Sequence, residues 1–440
     1  MAITKLKRLA IHNYKSLRYV ELHPSASDFT VLVGRNGAGK SNLADAFDFI
    51  KTVYQYGLEH AVVKKGGYEN IAYRKERRSR SAISFEVELI HTARAADIFP
   101  GLRSKVSDPQ GREVFTFRIV HKFSFKATGQ GIRSEFYVSD EQVVVSSQSI
   151  QGDLLSSDGI DSVIITRTGD SKILFVSTPN SRVEQAVFYQ GFKSSQEEEL
   201  LDIDRAELLN SYPIFRHQLV GRALSWLSNV AVFQLTPEFS RASGVPTPNP
   251  SLSTHGENLP AVIDWLQRYR EDTWKLILET MREIVPEIED IRVDYLHTRT
   301  LGIFFKEVGV GRPWTSDEVS DGTIRSLAML VACHDPRASL LLIEEPENSL
   351  HPWIIKVVMN SLRRLALRKP VLITTHSPIL LNSVAPDEVW VVYKQAGETR
   401  LAPLVSFDPQ LSSDWAEGKY RLFDYIEGGM VPQAVPSGEI

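Results

Sequence analysis

The sequence predicts an α/β protein with a parallel-sheet core around a phosphate-cradling loop, an antiparallel β lobe and a helical insertion. Three observations predict it. A glycine-rich loop, Gly34 to Ser41, stands between an apolar strand-like run and an amphipathic helical stretch. The apolar period then changes to two across residues 83–125. From Leu301 onward, short apolar runs alternate with helical stripes, which is the order of a mainly parallel buried sheet.

The elements follow in order. Short apolar clusters at Leu9 to Ile11, Tyr19 to Leu22 and Phe29 to Val33 suit strands, and Leu43, Phe47, Ile50, Val53 and Tyr54 recur at helical intervals from about Ser41 to Leu58. Ile83, Phe85, Val87 and Leu89 alternate with polar residues, as do Phe115 to Phe125, so this stretch reads as antiparallel strands with one wet face. A hairpin is expected where Val163 to Ile165 and Ile173 to Val176 flank Thr168, Gly169 and Asp170. Between Glu197 and Val293 the pattern is helical, interrupted at 236–256, where Pro237, Pro246, Pro248 and Pro250 predict a mobile excursion with no means of burying itself. The expected division is an N-terminal lobe at 1–180, a helical lid at 181–300, a C-terminal lobe at 301–427 and a tail at 428–440.

Composition narrows the class. The 440 residues suffice for two or three domains at about 150 each. Lys and Arg number 50 against 54 Asp and Glu, so any DNA contact must be a local patch and not the whole surface. A single cysteine, Cys333, excludes an intramolecular disulfide and points to a reducing, cytoplasmic setting. Lys5, Lys7, Arg8 and Lys15 break up the N-terminal apolar character, which predicts no signal peptide, and no apolar run approaches the ~18 residues of a membrane helix.

Four motifs carry chemistry. Gly34-Arg-Asn-Gly-Ala-Gly-Lys40-Ser41 matches G-x-x-x-x-G-K-[ST] between strand and helix. Its glycines let successive amides face phosphate oxygens, the helix N-terminus adds positive potential, Lys40 would reach the β and γ phosphates and Ser41 would give its hydroxyl to Mg2+. A glycine turn with a solvated lysine is the plain alternative. Leu340 to Ile343 reads as a strand covered on both faces that ends in Glu344 and Glu345, where a carboxylate can hold Mg2+ and its neighbour can polarise a water. Val371 to Thr374 delivers Thr375 and His376 to a similar edge, 31 residues after Glu345; a structural histidine is the alternative. Ser320, Asp321, Gly322 and Thr323 open a helix, either as a simple N-cap or as an anion site.

Together these four resemble the ATP-binding-cassette (ABC) ATPase heads of the RecF, SMC and overcoming-lysogenization-defect proteins, especially the AAA-type ATP-binding proteins of bacterial defence operons. The resemblance covers about residues 1–60 and 315–395. It implies that Gly34, Arg35, Asn36, Gly37, Ala38, Gly39, Lys40, Ser41 and Asn42 form the Walker A site for ATP. Ser41 and Glu344 would serve Mg2+, Glu345 would be the catalytic base, Asn348 to His351 the D-loop and His376 the switch histidine. Ser320, Asp321, Gly322 and Thr323 would be the signature, offered to the ATP of a second copy. Lys15, in the turn Asn13 to Ser16, is the expected further nucleotide contact, with a plain surface lysine as the alternative. Two departures stand out: Glu344 replaces the usual Asp, and SDGT replaces the SGGQ of transporters, which argues against a transporter subunit. The glutamine that usually follows Walker A has no unique candidate among Gln142, Gln148 and Gln151.

The resemblance further implies an ATPase that acts as a homodimer or higher homo-oligomer, closing on ATP and opening on hydrolysis, with slow turnover. A separately encoded nuclease or toxin is the expected effector, since no nuclease constellation follows Tyr393; the alternatives are a RecF-like DNA repair factor and a regulatory module that holds ATP and barely hydrolyses it. Arg74, Lys75, Arg77, Arg78 and Arg80 offer a local basic patch for DNA or a solvated loop. The aromatics of 115–125, Cys333, and Trp353 with Ile354 are expected to be core.

Overall fold

The computed structural model describes residues 2–73, 81–94, 114–128, 135–148, 162–168, 173–177, 183, 206–209 and 219–431. Two compact units emerge: Met1–Pro24 with Asp45–Asn229 and Lys394–Leu401, and Ser25–Ala44 with Val230–Tyr393 and Ala402–Ile440. They interleave along the chain, where sequence predicts three successive blocks, because parallel pairing seats Phe29–Val33 between strands more than 300 residues later.

The first unit holds a seven-stranded antiparallel sheet. Its order is Leu17–Leu22, Ile3–Tyr14, Ile83–Arg94, Val114–Ala127, Phe136–Gln148, Ser162–Thr168 and Ile173–Ser177. Ile83–Arg94 alternates strictly between buried and half-buried positions up to its exposed last residue, Arg94, as its sequence period requires. Phe49, Phe85, Phe123 and Phe125 are fully buried and stack on one another.

In the second unit, five of the six strands of a second sheet run parallel in the order Val389–Gln395, Phe29–Val33, Val371–Thr375, Leu340–Glu344, Val230–Phe233. Every residue of Phe29–Val33 and of Val371–Thr375 is buried, as for strands covered on both faces. Helices Asp321–His334 and Pro352–Ala366 contribute Leu327, Leu330, Val358 and Leu362 to the core, and Cys333 is buried with its thiol pushed up to about 12 by that burial. A three-stranded antiparallel sheet, Ile288–Tyr295, Leu301–Glu307 and Trp314–Thr315, completes the unit.

Three expectations change. Val230–Phe233, inside the stretch read as helical, is an edge strand of the parallel sheet; four apolar residues are too few to show a period. The proline-rich 236–256 stretch is stitched down: Gly244 and Leu301 exchange both backbone bonds, Thr254 O accepts from Gln234 N, Asn258 brackets Ser251 and Ser253, and Leu252 is buried. Proline removes donors, but Gly244 before Pro246 and the Ser251 to Thr254 backbone after Pro250 supply the bonds, with Asn258 just beyond the stretch. Trp353 is 41% exposed while Ile354 beside it is buried, because Pro352 starts the helix with the tryptophan turned outward. Arg74, Lys75, Arg77, Arg78, Arg80, Gln151 and most of the tail lie outside the described residues.

Candidate active site

The glycine loop follows directly from strand Phe29–Val33 and ends at Lys40, the first residue of helix Lys40–Tyr56. A Cβ on Gly34 would stand 1.9 Å from the Val392 carbonyl oxygen, so no other residue fits. Gly37 and Gly39 have φ of +74° and +114°, the left-handed region that lets the chain double back. Arg35, Asn36, Gly37 and Ser41 are exposed, Ala38 is buried, and Gly39 and Asn42 are half-buried. Lys40 is only 6% exposed and folds its ammonium over the loop, donating to Gly34 O at 2.6 Å and Arg35 O at 3.2 Å. Burial pulls its pKa down, against the carboxylates of Glu345, Glu344 and Glu347. Its charge therefore has no fixed anion in the loop and is free to exchange carbonyls for phosphate oxygens.

Strand Leu340–Glu344 buries four apolar residues and leaves Glu344 half-buried at its C-terminal end. The next residue, Glu345, adopts φ +46°, a conformation that costs a non-glycine residue about 1–3 kcal/mol and needs support around it. Its N–H donates to Thr374 O at 2.9 Å, its carbonyl accepts from Arg325 Nη2 at 2.7 Å, and its Oε2 accepts from Asn348 Nδ2 at 2.6 Å. Arg325 is 3% exposed, and its other terminal nitrogen donates to Leu235 O. The remaining carboxylate oxygen, Glu345 Oε1, stands 3.8 Å from His376 Nε2. Burial and Lys40 lower the histidine's pKa, while Glu345, Glu347 and Glu427 raise it.

Gly34, Arg35 and Asn36 line one cavity of about 740 Å³ with Glu345, Glu347, Asn348 and His376, and Phe423, Ile426 and Glu427 also face it. Lys40 bonds the carbonyls of Gly34 and Arg35, two of the loop residues that line it. Ser320, exposed, caps helix Asp321–His334 by accepting from Thr323 N at 3.1 Å. Asp321 pairs with Arg241 at 3.0 Å, and Gly322 stands beside the Ser349 carbonyl. His351 precedes helix Pro352–Ala366 without capping it by its side chain. Lys15 belongs to the other unit, where it pairs with Asp45 at 2.5 Å and lines a second cavity with Ser16, Lys65, Asn70 and Tyr73.

Sequence reasoning passed over Arg325, Glu347 and the 423–427 segment. Arg325 had a signal, a cation inside an otherwise apolar helix; Glu347 was a third carboxylate two residues after a pair already chosen. Residues 423–427 carried none, because they reach the cavity only through tertiary packing.

The donors suit a cation carried in on a triphosphate. Among the described residues no group of three or more His, Cys, Asp or Glu could hold an ion unaided, whereas Ser41 and Glu344 offer one hydroxyl and one carboxylate, the protein share that Mg2+ takes when phosphates and waters supply the rest.

Residues 5–165 match a family profile described as "AAA ATPase domain", and residues 246–382 match one described as "AAA domain, putative AbiEii toxin, Type IV TA system". The chain is 32% identical over 121 residues to the DNA replication and repair protein RecF of Anaeromyxobacter dehalogenans, covering 24% of this chain and 32% of that one. It is 43% identical over 61 residues to structural maintenance of chromosomes protein 1 of Schizosaccharomyces pombe, 14% of this chain and 5% of the relative. It thus spans at most about a third of these relatives' length. A solved SmcHead bound to the C-winged helix domain of ScpA aligns over 90% of this chain and 97% of its own, at 13% identity and a TM-score of 0.48. The glycine loop falls within the first matched stretch, and Ser320, Glu345 and His376 fall within the second. Two ATPase-domain profiles thus match separate parts of the chain, and shorter stretches of it are similar to RecF and SMC proteins.

Proposed function

We propose that this ATPase works as a pair, with ATP bound in the glycine loop of one copy and capped by Ser320 to Thr323 of the other. The convergence of the loop, Glu345 and His376 on one cavity supports this reading above all else. Loop amides and Lys40 would hold the β and γ phosphates. Ser41 and Glu344 would hold Mg2+, which neutralises phosphate charge when bound. Glu345 would take a proton from the attacking water, and His376 beside it would donate to the γ phosphate or orient that water. Asp321 and Gly322, exposed and half-buried on the helix that Ser320 caps, would lie beside the second copy's nucleotide in this scheme. Lys15, which pairs with Asp45 and lines a separate cavity, is not part of this scheme.

Replacing Glu345 by Gln tests it: ATP affinity should be retained while kcat falls by about 10²–10⁴, and a dimer should accumulate on size exclusion in ATP and Mg2+. Hydrolysis at the wild-type rate would move the base elsewhere.

At the level of biology, we favour a sensor or motor subunit of a bacterial defence complex that controls a separate nuclease or toxin. The match to a profile described as a putative AbiEii toxin of a type IV TA system supports it. A RecF-like repair role is the second reading, favoured by the identity to RecF; ATP-dependent DNA binding without any companion protein, lost on neutralising Arg74 to Arg80, would select it. Among the described residues no helix is long and apolar enough to cross a membrane.

A further inference from the structure

We infer that Glu347 is the positioning residue of His376, holding the loop that presents the imidazole to Glu345. This rests on the reading of His376 given above. Glu347 Oε1 accepts two bonds from that loop, from Thr375 Oγ1 at 2.7 Å and from His376 N at 2.9 Å. The Thr375 hydroxyl, which donates to Glu347, accepts in turn from Ser377 N at 2.9 Å. Thr375 and Ser377 are buried, so the backbone on both sides of His376 is fixed and only the imidazole extends outward.

One carboxylate thus sets where the ring stands, and a second, Glu345, faces it at 3.8 Å. Glu347's other oxygen, Oε2, is buried with no hydrogen-bond partner among the described residues. The Glu347 charge also acts on the ring itself, favouring its protonation. The charged groups facing His376 are Lys40, Glu345, Glu347 and Glu427; the cation opposes protonation of the ring, and the three carboxylates favour it.

The full-length chain tests this with Glu347→Ala, Glu347→Gln, His376→Ala and the Glu347→Ala/His376→Ala double variant, read by ATPase kinetics and by NMR titration of the His376 ring, assigned from the signal missing in His376→Ala. Misplacing a reacting group by about 1 Å can cost 10²-fold, so Glu347→Ala should lower kcat by about that factor with KM for ATP little changed. The double variant should be no slower than His376→Ala alone, because Glu347 acts through the histidine. Glu347→Gln, which keeps an acceptor oxygen but loses the charge, should retain more of the rate while the ring titrates at lower pH. Additive losses in the double variant, or a His376 signal unmoved in position and midpoint by both Glu347 changes, overturn the inference. Should the Glu347→Ala chain not fold, Glu347→Gln and Thr375→Val carry the same comparison. If His376→Ala hydrolyses ATP like the wild type, the role given to His376 fails, and the NMR signals alone decide whether Glu347 holds its loop.

Discussion

Polar side chains sit in different places in the two sheets. In the seven-stranded antiparallel sheet they lie in mid-strand and bond one another and the segments packed on the sheet. His121, fully buried, bonds Tyr54 OH at 2.7 Å and Glu141 Oε1 at 2.8 Å, and Glu141 also accepts from Leu209 N and faces Arg167 at 3.8 Å. In the parallel sheet the strand interiors are almost wholly apolar, and the polar groups gather at the C-terminal ends: Glu344, Glu345, Thr374, Thr375 and His376. An antiparallel strand with one wet face can bury a polar residue among neighbours that answer it, whereas a strand covered on both faces has room for chemistry only where it stops. A histidine within an antiparallel strand and one at a parallel strand's end therefore invite opposite readings.

The sharpest way to break this contrast is Lys40→Ala. The loop would lose the cation that the motif places there, and nucleotide binding should fall below detection in a fluorescent-ATP titration while the thermal unfolding midpoint stays near wild type. Undiminished affinity would show that the strand-end cluster is not a phosphate site. Next in size is Glu141→Ala in the other sheet. It strands Arg167, 1% exposed, beside a missing carboxylate, and breaking a buried pair in this way costs about 3–5 kcal/mol. Urea unfolding should show that loss, with ATP affinity of the folded protein unchanged.

The sequence disclosed the parallel core better than its accessories, for physical reasons. Gly34, Lys40, Glu345 and His376 occupy the ends of uninterrupted apolar runs, and such runs mark both the strand and its edge. Ile83–Arg94 was legible through strict alternation. Val230–Phe233 was not, because four residues give no period, and the anchoring of 236–256 depends on Leu301, a partner far along the chain. Glu347 and Arg325 escaped because their importance comes from the backbone atoms they bond, which no residue-type pattern records.

A milder test concerns pH. His91, 3% exposed on strand Ile83–Arg94, bonds Thr4 Oγ1 at 2.8 Å, and burial, helped by Arg222, lowers its pKa from 6.5 to about 4. Below pH 6.5 the unfolded chain takes up a proton that the folded chain refuses, so stability falls as pH drops and stops falling below about 4. At 1.36 kcal/mol per unit this amounts to about 3 kcal/mol. His91→Gln should flatten that part of the stability profile and leave nucleotide affinity untouched; an unchanged slope would assign the acid sensitivity to other groups.

The smallest stability effect falls on Ser320, and it separates a cap from a contact. Ser320→Ala removes the acceptor for Thr323 N and should cost about 1 kcal/mol. Ser320→Asn keeps a side-chain oxygen at the cap and should restore the melting temperature. If the serine only caps, hydrolysis recovers with it; if its hydroxyl completes a neighbour's site, hydrolysis stays low in the Asn variant. Mixing then decides: Ser320→Asn chains keep a working glycine loop and Lys40→Ala chains keep a working signature, so a heterodimer of the two regains one complete site. Activity that rises on mixing two inactive variants requires a site shared between copies, and its absence would confine the exposed corner to holding its own helix.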